Sequence, residues 1–145
     1  MTVRRLDHAG FIVDDLAAAV AFFLELGLEL EGEATVGGPW ADELLGLDGV
    51  SADIAVVRTP DGQARVELST FRTPANRPGF PPSPVNTPGI PRLTFSVDDV
   101  DDLLVRLRPH GAELVGKVAQ YEDLYRYAYV YGPAGVIIGL VEELR

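Results

Sequence analysis

An α+β fold built from two β-α-β-β-β modules is predicted by three observations. The stretch His8-Ala-Gly-Phe-Ile-Val-Asp-Asp-Leu16 nearly recurs as Arg92-Leu-Thr-Phe-Ser-Val-Asp-Asp-Val100, at an offset of 84 residues, and the match continues without a gap to set Gly27 on Gly111, Glu29 on Glu113 and Leu30 on Leu114. In both copies a stretch of period two runs into an Asp-Asp pair and then into a helical run. After that, each half carries short strand patterns punctuated by glycine and proline turns.

The first module opens with a strand pattern from Leu6 to Val13 and continues into a helix from Leu16 to about Leu26. Asp14 is placed to cap that helix, with the next acid favouring its dipole, and Gly27 suits the left-handed residue that closes it. Strands follow over Leu28 to about Thr35, Ala52 to Thr59 and Ala64 to Phe71, with Pro60-Asp-Gly62 as the turn between the last two. The second module repeats the order: a strand from Arg92 to Val97, an Asp98 cap, a helix from Val100 to about Arg108 closed near Gly111, then strands over Ala112 to Val118, Leu124 to Tyr131 and Val136 to Glu142, the last two joined by Gly132-Pro-Ala-Gly135. Between the modules, RTPANRPGFPPSPVNTPG is too rich in proline and glycine for a ladder or helix and reads as a linker or a dimer arm. The expectation is one domain over 1–145, with module one at about 3–71, the linker at about 72–89 and module two at about 90–143.

A chain of 145 residues, 47% hydrophobic, is long enough to bury roughly two thirds of its unfolded surface. Its 22 acidic against 12 basic residues oppose the phosphate neutralisation that nucleic acids and anionic membranes require. No apolar run approaches the ~20 residues of a membrane span, and the opening MTVRRLDHAGFIVDDL does not read as a signal sequence, so a cytoplasmic location is expected. With no cysteine, any metal must be held by nitrogen and oxygen. Phosphate-binding glycine loops, GxSxG elbows and HExxH motifs are absent.

With HAGFIVDDLAAAVAFFLELGLEL, ARVELSTF, GIPRLTFSVDDVDDLLVRLRPHGAEL and YVYGPAGVIIGLVEEL, essentially the whole chain resembles the vicinal oxygen chelate superfamily, the glyoxalase, bleomycin-resistance and extradiol dioxygenase group. The resemblance implies two modules curling into an incomplete barrel, a metal or ligand within the cup, and a homodimer. It also implies four metal-ligand positions, one on the first and one on the last strand of each module: His8, Glu67, Arg92 and Gly139.

Strand alternation supports that placement. Ala9, Phe11 and Val13 form the helix-facing set, leaving His8 on the other face; Leu93, Phe95 and Val97 do the same, leaving Arg92, Thr94 and Ser96; Val66 and Leu68 oppose Arg65, Glu67 and Ser69. The usual pattern ends in histidine and glutamate, and here those positions are Arg92 and Gly139. A guanidinium has no lone pair to donate. At ~5 Å from a divalent ion and an effective dielectric of ~20 it would repel the ion by roughly 7 kcal/mol. Two states therefore stand open, a divalent metal weakly held by His8 and Glu67, or no metal. Arg92 either pairs with Glu67 or receives a ligand's carboxylate or phosphate.

Other residues carry a structural reading beside a functional one. Tyr125, Tyr127, Tyr129 and Tyr131 share one strand face, as a packed stripe or as a wall for a planar ligand, with Tyr127 a ligand-binding candidate. Trp40, in a glycine-flanked segment, is packing or a ligand-binding lid. Glu122 and Asp123 read as loop, and His110 is assigned no chemistry. Two functions compete. The first is a lyase or isomerase that shifts a proton beside a carbonyl of a small metabolite, with Glu67 as catalytic base or metal ligand and an altered metal site. The second is a non-catalytic protein that sequesters a small molecule or antibiotic. An extradiol dioxygenase is disfavoured, because its second histidine would have to be Arg92.

Overall fold

The computed structural model describes residues 2–145, and they divide into two compact units at Pro78/Gly79. The first contains β1 (Ala9–Ile12), α1 (Leu16–Leu26), β2 (Glu29–Gly37), α2 (Pro39–Leu45), β3 (Ser51–Arg58) and β4 (Arg65–Thr73). Its sheet has the order β1-β4-β3-β2, with β1 parallel to β4 and the rest antiparallel. Phe22, Phe23 and Leu26 of α1 are buried, as are Val57, Val66 and Leu68 of the sheet. Such a cluster drives collapse, since each large apolar side chain removed from water contributes about 1.5–3 kcal/mol.

Asp15 caps α1, not Asp14: its carboxylate accepts the Ala18 N–H at 3.0 Å. The cap shifts in the second unit too, where Asp99 accepts the Asp102 N–H at 3.0 Å. The physical reason is that each helix starts only at Leu16 or Val100, so the last extended residue is the second acid of the pair. Asp14 instead accepts from the Asn76 amide at 3.1 Å. Asn76 also accepts the Phe71 N–H and donates to the Val13 carbonyl, and β4 runs on through Arg72 and Thr73, which were expected in the linker. Gly27 closes α1 as expected, in the left-handed region at φ 118°.

The second unit contains β5 (Arg92–Ser96), α3 (Val100–Leu107), β6 (Glu113–Leu114), β7 (Ala119–Tyr121), β8 (Tyr125–Tyr131) and β9 (Ile137–Glu143). The order is β5-β9-β8-β6, with β7 also on β8 and β5 parallel to β9. Val100, Leu103 and Leu107 of α3 are buried, together with Ala128, Val130, Ile138 and Leu140 of the sheet. The strand expected over Ala112 to Val118 is shorter. Its pairing with β8 stops at Leu114 and resumes at Ala119 with the register displaced by two residues, so the backbone between them loops out. From the linker, Ser83 accepts the Tyr131 hydroxyl at 2.9 Å.

The α+β class, the two repeated units and the strand–helix–strand order thus agree with the reading from sequence.

Candidate functional site

In the first unit β1 and β4 are in parallel register with Gly10 beside Glu67. Side chains alternate along a strand, so His8 and Glu67 emerge on the sheet face opposite the buried Val66 and Leu68. His8 Nε2 lies 3.4 Å from Glu67 Oε2. On the other side of the ring, Nδ1 is 2.8 Å from Asp7 Oδ2. The hydrogen bond from His8 and then the Arg5 charge hold the Asp7 carboxyl below its usual range. An ionised carboxylate only accepts, so the imidazole is the donor in the Nδ1 contact to Asp7, and Nε2 is turned toward Glu67. Asp7, unremarked in sequence, is thus the group that orients His8; adjacency to a strand-end histidine was its only signal.

In the second unit β5 and β9 repeat that register, with Thr94 beside Gly139. The equivalent of the Glu67 position is therefore Gly139, as expected, and the hairpin sets Tyr129 directly opposite it on β8. A Cβ on Gly139 would lie 2.5 Å from the Thr94 hydroxyl and 2.8 Å from the Tyr129 ring. The space a ligand side chain would take is filled by these two groups. Arg92 lies over the same ring, its guanidinium carbon 5.2 Å from the Tyr129 centroid. Tyr127 meets Tyr129 edge-on at 5.9 Å and keeps 37% of its surface exposed.

These residues do not fit the four-ligand metal site. His8 and Glu67 offer two donors in the first unit, but Arg92 is a cation without a lone pair and the Gly139 position is sterically closed. Among the described residues, no group of three or more histidines and carboxylates is arranged around one point.

Residues 5–140 match the Glyoxalase/Bleomycin resistance protein/Dioxygenase superfamily. The chain belongs to that superfamily. Among its glyoxalase-superfamily relatives, a glyoxalase-family protein of Bacillus cereus, known as a crystal structure, is 46% identical at a TM-score of 0.94; the alignment covers 100% of this chain and 97% of that one. The uncharacterised protein YaeR of Escherichia coli K12 is 26% identical over 142 residues, 97% of this chain and 98% of its own. TnmS3, an antibiotic-binding protein from Streptomyces sp. CB03234, shares the fold at 22% identity and a TM-score of 0.59, with 99% of this chain and 98% of that one covered.

The remaining sequence candidates are placed as follows. Trp40 sits on α2 with 61% of its surface exposed, so it is not a packed core residue. Its short helix is tied down by Asp42, whose carboxylate accepts the Gly49 and Val50 N–H groups. Asp123 pairs with Arg145, and Glu122 sits in a tight turn at φ 51°, both loop positions as expected. No helix among the described residues is long and apolar enough to cross a membrane.

Proposed function

We propose that this glyoxalase-superfamily chain acts as a lyase or isomerase that moves a proton beside the carbonyl of a small metabolite, with Glu67 as the base. The observation that carries this reading is the Asp7–His8–Glu67 chain. A half-exposed carboxylate beside an oriented imidazole has a partner through which the abstracted proton can leave, the arrangement that general acid–base catalysis needs. Asp7 serves as the positioning residue. The altered ligand positions mean that this proton transfer uses the chain's own groups. The homodimer and the small-molecule ligand belong to the same reading, and sedimentation at micromolar concentration checks the former.

The test is hydrogen–deuterium exchange at the carbon beside the carbonyl, followed by proton NMR in heavy water with a panel of small 2-oxo acids, 2-hydroxy ketones and thioesters. The wild-type protein is expected to catalyse exchange in at least one of them, before and after chelator treatment. Glu67→Gln is expected to reduce the rate about 10²–10⁴-fold. Wild-type protein inert toward the whole panel, or unchanged exchange in Glu67→Gln, would reject the reading.

A second reading, ligand sequestration without chemistry, is favoured by the exposed Tyr127 in the tyrosine row and by the fold shared with an antibiotic-binding protein. Trp40 is a further exposed aromatic available for stacking. Tight binding of a ligand recovered chemically unchanged would distinguish it from the first.

A further inference from the structure

We infer that the second unit carries a receptor for a small aromatic carboxylate, formed by Arg92 over the Tyr129 ring at the place where the fold's other metal-ligand positions lie. The inference rests on the geometry of that unit and stands whether or not Glu67 acts as a base; it gives the sequestration reading its chemistry.

Three observations carry it. First, Arg92 is exposed on β5 and meets no carboxylate among the described residues of its unit, whereas Arg126 and Arg145 of the same unit pair with Asp101 and Asp123. In a chain of net charge −10, an arginine on a sheet face without an acid is a cation held for an incoming anion. Second, the guanidinium carbon lies over the Tyr129 ring, 5.2 Å from its centroid. A cation–π contact holds the charge in place without using a carboxylate acceptor, so the N–H fork, which grips a carboxylate through two parallel hydrogen bonds, remains available to an incoming anion. Tyr129 is itself confined by Gly139 beneath it and Tyr127 beside it. The arginine is thereby pre-ordered, and less side-chain freedom is lost when an anion binds. Third, a hollow of about 260 Å³ bounded by Lys117, Ala119, Tyr127 and Tyr129 adjoins the same tyrosine pair. It offers the planar part of such a ligand an aromatic wall and a second cation.

The experiment is an amide-NMR and calorimetric titration of the full chain with benzoate, with benzamide as the neutral control. Benzoate is expected to bind at low salt and to shift the Arg92 side-chain and Tyr127 and Tyr129 resonances. Loss of one charge-assisted pair in Arg92→Gln should weaken binding roughly tenfold or more. Arg92→Lys keeps the charge without the fork and should fall between the two. Both variants remain informative because the side chain is exposed and the far-ultraviolet spectrum reports folding. No wild-type binding of benzoate, equal binding of benzamide, or undiminished binding in Arg92→Gln would each overturn the proposal. Failure here leaves the Glu67 exchange assay unaffected, so the two readings fail separately.

Discussion

At the scale of single residues, the difference between His8 and Arg92 follows from what stands opposite each. His8 faces a carboxylate on the neighbouring parallel strand, 3.4 Å from its Nε2. In the second unit the place of Glu67 is taken by Gly139, which pairs with Thr94 on one side and Tyr129 on the other, and the Arg92 guanidinium lies over that tyrosine ring. Gly139 is therefore required by packing. Adding only a methyl group, Gly139→Ala, forces Thr94 and Tyr129 to move, and overpacking of that kind should cost about 1–3 kcal/mol. The check is the urea midpoint, together with loss of the ring-current shift that Tyr129 imposes on the Arg92 side chain. An unchanged midpoint would show that the ring yields easily. The sequence made these positions legible, since the repeat aligns them. The Tyr129–Gly139 pairing was open to anyone who folded the hairpin about Gly132-Pro-Ala-Gly135, but the arginine's choice of the ring over an acid depends on rotamers that no spacing states.

At the scale of elements, the two helices that begin after Asp-Asp are alike in their caps and unlike in their outer faces. α3 turns Asp101, Asp102 and Arg106 outward, with Arg106 and Asp102 paired at 2.9 Å. α1 is apolar nearly all round, and Leu16, Ala17, Val20, Ala21 and Leu24 line one side of a groove beside β2 and β3. Both caps lie one residue beyond the position predicted, because the second acid of each pair is the extended residue that immediately precedes the helix. Asp15→Ala should thus cost about 1 kcal/mol through the orphaned N–H groups of the first turn. Asp14→Ala removes only an exposed contact to Asn76 and should shift the thermal midpoint less. Thermal unfolding of the two variants decides between them, and a reversed order would return the cap to Asp14. The strand after α3 was over-extended in the reading from sequence, because a two-residue register slip is an event between strands and leaves no period in either one.

At the scale of the whole molecule, acidity dominates. Several carboxylates are held below their usual range by partners: Asp53 by the Thr35 hydroxyl and then Arg72, Glu31 by Arg65, and Asp61 by the Thr59 hydroxyl. A group whose folded value is depressed adds stability that is present in full above its unfolded value. That contribution is lost as pH falls through the folded one. The ordinary values are 3.8 for aspartate and 4.5 for glutamate, so the urea midpoint should hold from pH 7 to about 5 and decline below it. Asp53→Asn should lower the midpoint at pH 7 and matter progressively less in acid, as equilibrium unfolding at several pH values would show. An equal effect at all pH values would remove Asp53 from the acid response.

What the sequence determined by itself was the duplication, the α+β class, the faces of the strands and the departure at Arg92 and Gly139. These follow from periodicity and residue chemistry, which are local and survive without coordinates. The tertiary structure alone decided that Asp7 orients His8 toward Glu67, that Tyr129 closes the space above Gly139 and that Asn76 holds the end of β1. Each joins groups on different strands or loops, so each depends on register and rotamer, and those are set only when the sheets assemble.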